Sequence, residues 1–206
     1  MYTPRAFAET RRAPLHAAMR THPLATVAYV DDGRPDVCHV PLELDVDAGE
    51  HGTLRGHVAR ANPLWRAADR GEVLLVFHGP DGYVSPSHYA SKAEHGRVVP
   101  TWNYLVVHAR GRLRAVSDAP WLRALVGRLT DRHEAGRAEP WAVDDAPDDY
   151  VEGMLGAIVG IEIPIDELAG AFKLSQNKAG ADLATVRAGL AAEAPALARV
   201  METDDA

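Results

Sequence analysis

A chain of 206 residues, 47% apolar and 25% charged, is long enough to bury a core and too apolar to stay disordered. Its formal charge of −7, from 22 basic and 29 acidic residues, argues against direct DNA binding, and no apolar run approaches the roughly 20 residues of a membrane span. The basic N-terminal stretch has no apolar segment behind it, and the single Cys38 excludes an internal disulfide, so a cytoplasmic setting is expected.

In chain order, residues 7–21 read as an amphipathic helix stopped by His22-Pro23. ATVAYV (25–30) and DVCHVPLEL (36–44) read as a hairpin turned by Asp31-Asp32-Gly33-Arg34, and HGTLRGHVARA (51–61) as a third strand. Asn62-Pro63 predicts a short helix through Asp69: asparagine caps well and proline suits the first helical position. EVLLVFHG (72–79) has the continuous apolar character of a strand buried on both faces, and Gly79-Pro80-Asp81-Gly82 is expected to turn it.

Residues 85–97 show no period and read as a loop. VVPTWNYLVVHARGRLRAV (98–116) reads as a long strand that bends near Gly111. Ser117-Asp118-Ala119-Pro120 opens a helix, Asp145-Ala146-Pro147 opens another, and AIVGIEIPI (157–165) is the last strand. A tail from about 178 to 206 forms two short helices interrupted by Pro195. Hairpin-linked strands with helices between them predict a mainly β, α+β fold: an antiparallel barrel with flanking helices, in one domain.

Four segments carry candidate chemistry. In GHVARANP (56–63) a strand runs into a helix N-terminus, where free N–H groups and the forked cation of Arg60 suit a phosphate. The alternative is that Asn62 only caps and Arg60 pairs with a surface carboxylate. In PTWNY (100–104) Trp102 and Tyr104 share a face that fits either a planar ligand or a barrel core, with Asn103 on the other face. KLSQN (173–177) crowds four polar side chains after a strand-like segment, more than one helix cap needs. CHVPLEL (38–44) carries Pro41, which suits an edge or bulge beside a site. No HExxH, CxxC, phosphate-loop or Gly-x-Ser-x-Gly pattern is present, and the histidine spacing predicts no metal site.

These segments together resemble the PaiB-type family, described as FMN-binding negative transcriptional regulators. The resemblance runs through MYTPRAF, HPLATV, HVPLEL, GHVARANPLW, VFHGPDGYVSPSHY, VVPTWNY, HEAGRAEPW, MLGAIVGIEIPI and KLSQN, in that order. It departs from the family at SPSHY, where His88 stands in place of an expected Trp. The resemblance implies a split β-barrel of the FMN-binding type that pairs as a homodimer and holds FMN. It further implies His57, Arg60 and Asn62 near the phosphate, Trp102 and Asn103 near the ring system, and Lys173 and Gln176 near the ribityl chain or flavin edge. A regulator acting through bound flavin or a protein partner is the first expectation, since no helix-turn-helix follows the helix near 119–131. The alternatives are a flavin-dependent oxidoreductase on a small substrate, or a haem-binding barrel with His39 or His57 as axial ligand.

Overall fold

The computed structural model describes residues 1–68, 71–178 and 180–203. The elements in chain order are β1 (Ala8–Glu9), α1 (Arg12–Thr21), β2 (Leu24–Asp31), β3 (Arg34–Pro41), β4 (Glu43–Asp45) and β5 (Thr53–Ala59). A 3₁₀ turn at Pro63–Ala67 leads to β6 (Glu72–Val84), α2 (Lys92–His95), β7 (Thr101–Arg112), β8 (Arg114–Val116) and α3 (Ala119–Glu134). Then come α4 (Asp148–Gly156), β9 (Ile158–Lys173), α5 (Gly180–Glu193) and α6 (Pro195–Thr203). The strands run in the order β3-β2-β6-β7-β9-β5-β4, with β1 and β8 also pairing β9. The chain groups into two compact units, each assembled from segments far apart in sequence, so no shift in composition marks a boundary.

Unit 2 comprises His22–Val76 and Ala109–Leu168. Its β2–β3 hairpin is in register from Leu24↔Pro41 to Asp31↔Arg34, closed by Asp32 and Gly33 at φ 48° and 77°. Two successive residues at positive φ are what a two-residue hairpin loop requires, and Asp-Gly supplies them at least strain. β5 pairs β4 on one side and the first half of β9 on the other. Alternation sends Leu54 and Val58 into the core, and it leaves Arg55, His57 and Ala59 on the opposite face. Arg55 donates to Asp45 at 2.7 Å and to Glu162 at 2.9 Å, and that arginine holds the Asp45 carboxyl below its usual range. α3 starts where Asp118 accepts from the Trp121 N–H at 2.9 Å. α3 and α4 share a small core of Leu122, Val151 and Leu155.

Unit 1 comprises Met1–Thr21, Phe77–His108 and Ala169–Ala206. Leu15 and Met19 bury one face of α1, and Val186, Leu190, Leu197 and Met201 form the buried seam of α5 and α6. Asp182 in the first turn of α5 accepts from both the N–H and the hydroxyl of Ser91, each at 2.8 Å. His88, at the position of the departure from the family pattern, places Nε2 3.2 Å from Glu193 and its ring against Gly189.

Several elements differ from their sequence reading. The helix expected from residue 7 begins only at Arg12, because Ala8 and Glu9 pair with Ala171 and Gly170. Residues 36–44 split into two strands at Leu42, whose N–H bonds the Pro23 carbonyl at 2.9 Å. Gly79-Pro80-Asp81-Gly82 is extended strand within β6, since pairing in the sheet overrides its turn propensity. The segment 85–97 contains a 3₁₀ turn at Pro86–His88 as well as α2. The last strand runs on to Lys173, eight residues past its predicted end at Ile165. The helix after Asn62 is a single 3₁₀ turn ending at Ala67, and its predicted end at Asp69 lies outside the described residues.

Candidate functional site

The exit of β5 in unit 2 concentrates fixed polar groups. The Arg60 N–H donates to the Ala157 carbonyl at 2.8 Å, and the Arg60 carbonyl accepts from the Trp65 indole at 2.9 Å. The guanidinium then reaches the end of α4, donating from Nε to the Gly156 carbonyl at 2.9 Å and from Nη2 to the Ile158 carbonyl at 3.0 Å. A cation at a helix C-terminus is favoured by the carbonyls left over there. Arg60 is thus neither paired with a carboxylate nor loose: its backbone and one edge of its fork are pinned, and the exposed Nη1 has no partner among the described residues.

Asn62 serves the turn itself. Its Oδ1 accepts from the Leu64 N–H at 2.9 Å, and its Nδ2 lies 3.1 Å from Cys38 Sγ in β3. The turn that follows is one 3₁₀ turn with little dipole, and Asn62 already takes one of its free N–H groups. On neighbouring β3, the end strand of the sheet order, His39 Nδ1 lies 3.1 Å from Thr26 Oγ1.

His57 faces elsewhere. Its half-buried ring lines a cleft of about 360 Å³ in unit 2, walled by Val126 and Thr130 of α3, Trp141, and Tyr150 and Met154 of α4. Nδ1 is sealed from solvent with no partner among the described residues, and burial pushes the imidazole below its usual range, so the ring is neutral near pH 7. The resemblance implied His57 near the phosphate with Arg60 and Asn62; alternation along β5 sets its ring on the face toward α3 and α4. The sequence reading missed the cleft, because Trp141, Tyr150 and His57 meet only through tertiary packing.

Unit 1 holds the other four candidates. Asn103 is 0% exposed; its Nδ2 donates to Ser175 Oγ at 2.8 Å and its Oδ1 has no partner among the described residues. This amide faces the interior and ties β7 to the segment after β9. Gln176 folds back to the Phe172 carbonyl and the Leu174 N–H, closing its own turn. Lys173 donates to Thr101 Oγ1, with Nζ 5.9 Å from the centre of the Phe7 ring. Trp102 is 50% exposed, its indole N–H fixed on Asp81 at 2.9 Å and its ring 6.1 Å from that of Tyr83. Among the described residues, no three His, Cys, Asp or Glu side chains gather as metal ligands, and no helix is long and apolar enough to cross a membrane.

The antiparallel, mainly β fold with flanking helices is that of a split β-barrel, and two solved structures share it. The flavocytochrome Anf3 of Azotobacter vinelandii superposes with a TM-score of 0.61 at 19% identity, covering 87% of this chain and 73% of that one. The FAD and heme binding protein of Mycobacterium smegmatis does so with a TM-score of 0.60 at 24% identity, covering 86% and 78%.

The family is narrower than the fold. Residues 1–167 match the family model described as "Putative FMN-binding domain", and the chain belongs to that family. It is 32% identical over 187 residues to the protease synthase and sporulation protein PAI 2 of Bacillus subtilis (strain 168), covering 90% of this chain and 87% of that protein. It is 34% identical over 218 residues to an uncharacterized protein of Emericella nidulans, covering 88% and 87%.

Proposed function

We propose that this protein holds FMN by its phosphate at the exit of β5 and uses the bound flavin in a regulatory role exercised through a protein partner, as a homodimer in the cytoplasm. Arg60 carries the reading. Its guanidinium is fixed on two carbonyls before any ligand arrives, so the exposed edge meets a phosphate at little further ordering cost. Asn62 and Trp65 hold the turn that presents it. FMN when bound supplies one- and two-electron redox chemistry, while the chain's own part is to grip and orient it. In unit 1, Trp102 is proposed as a stacking face for a planar group, because its ring is half exposed while its N–H is anchored.

The regulatory half rests on likeness to the Bacillus protein, whose name ties it to protease synthesis and sporulation. A net charge of −7 favours a protein partner over DNA. The test is the visible spectrum of the protein purified without added cofactor, followed by FMN titration of wild type and Arg60→Ala. Flavin bands or uptake of FMN, weakened in the variant, support the reading. Equal uptake by both removes Arg60 from the phosphate, a haem band replaces the cofactor, and promoter DNA retained at physiological salt ends the partner model.

A further inference from the structure

We infer that the cleft of unit 2 among β5, α3, Trp141 and α4 binds a small, largely apolar molecule that carries one carbonyl-type acceptor, which His57 recognises. The inference stands apart from the FMN reading, which needs Arg60 and not His57.

The cleft has the dimensions and chemistry of a small-molecule site. About 360 Å³ lies within the usual range for ligand pockets, and its walls are apolar apart from a few side-chain groups. Trp141, Tyr150 and Met154 line it while 47%, 61% and 51% exposed, so large apolar side chains converge on space that none of the described residues fills. The walls are held in place. Leu122, Val151 and Leu155 pack α3 on α4 beneath them. The Trp141 N–H donates to Glu134 at 3.2 Å, Arg137 pairs with the same Glu134 at 2.8 Å, and Arg123 pairs with Asp144 at 2.7 Å.

His57 gives the cleft its selectivity. Neither ring nitrogen has a partner among the described residues, and Nδ1 is sealed from solvent. A buried N–H without an acceptor is the rarer and costlier defect, so the proton of the neutral ring belongs on Nε2. The imidazole then presents a donor, and the matching ligand atom is an acceptor such as a carbonyl oxygen. A cation finds no carboxylate lining the cleft, and an anion finds no fixed positive charge there.

The test compares 1-acetylnaphthalene with 1-ethylnaphthalene, which differ in the carbonyl, by equilibrium dialysis against wild type, His57→Phe and Trp141→Ala. Each protein is used with and without saturating FMN, and thermal melts check folding. Wild type should bind the acetyl probe about three- to tenfold more tightly than the ethyl probe, the range of one neutral hydrogen bond. His57→Phe should bind both equally, Trp141→Ala should weaken both, and neither should change FMN uptake. Equal binding of the two probes by wild type, or no binding, overturns the inference. So does displacement of the probes by FMN, which would give the cleft to the flavin. A fall in solution mass in Trp141→Ala would give it to a second copy of the chain and overturn it equally.

Discussion

In unit 1 the polar side chains of residues 173–177 turn back on the protein: Ser175 accepts from buried Asn103, Gln176 closes its own turn, and Lys173 donates to Thr101. In unit 2, Arg60 and His57 keep capacity in reserve: Arg60 is pinned along one edge only, and His57 has no partner among the described residues. The first arrangement spends its hydrogen bonds on holding an irregular turn, where Ser175 sits at φ 66°, a conformation seldom taken by a residue with a side chain. The second fixes the backbone and leaves donors facing outward. A cluster of polar residues in a sequence can therefore mark either a lock or a site, and the difference lies in how many donors remain after folding.

Variants can break or sharpen that contrast. The largest effect expected is in FMN affinity: Arg60→Ala should weaken it by about 1.5–3 kcal/mol, the range of a hydrogen bond to a charged group, with a smaller loss of thermal stability. Titration beside a melting curve separates the two. Asn103→Ala should do the reverse, lowering stability by about 1–3 kcal/mol through the stranded Ser175 hydroxyl while FMN uptake stays as in wild type. A changed flavin affinity in that variant would move Asn103 from lock to site. Asn62→Ala should cost about 0.5–2 kcal/mol of stability as a lost cap, and any weakening of FMN should be smaller than that of Arg60→Ala.

The smallest effect is in pH dependence. Burial depresses the folded-state pKa of His57 below 6.5, so the folded chain binds fewer protons than the unfolded one. Its contribution is complete above pH 6.5 and is lost as the pH falls through the lowered value. His57→Phe should therefore flatten the loss of stability as the pH falls below 6.5, though only in part, because burial lowers His22 in the same sense. Denaturant titrations at a series of pH values would show it; an unchanged slope would mean that the ring is more open to water than its sealed Nδ1 indicates.

Much of the fold was legible in residue order. The β2–β3 hairpin followed from Asp32-Gly33, and the start of α3 from Asp118 and Pro120, since turn and cap chemistry act over a few neighbouring residues. The pattern of half-buried strands indicated an antiparallel, mainly β fold. The motif order from MYTPRAF to KLSQN resembled an FMN-binding family, and the chain belongs to the family whose model matches residues 1–167. Tertiary structure decided the rest. It drew Gly79-Pro80-Asp81-Gly82 into β6 against local propensity and ran β9 on to Lys173. It also set Arg60 on carbonyls about 96 residues away in sequence rather than on a surface carboxylate. Periodicity assigned Asn103 and His57 each to one face of a strand, but what lay across that face came from distant elements: Ser175 for the first, a cleft between two helices for the second. Local preferences are readable because their partners are neighbours in the chain; the fate of a donor is not, because its partner is chosen only when remote segments pack.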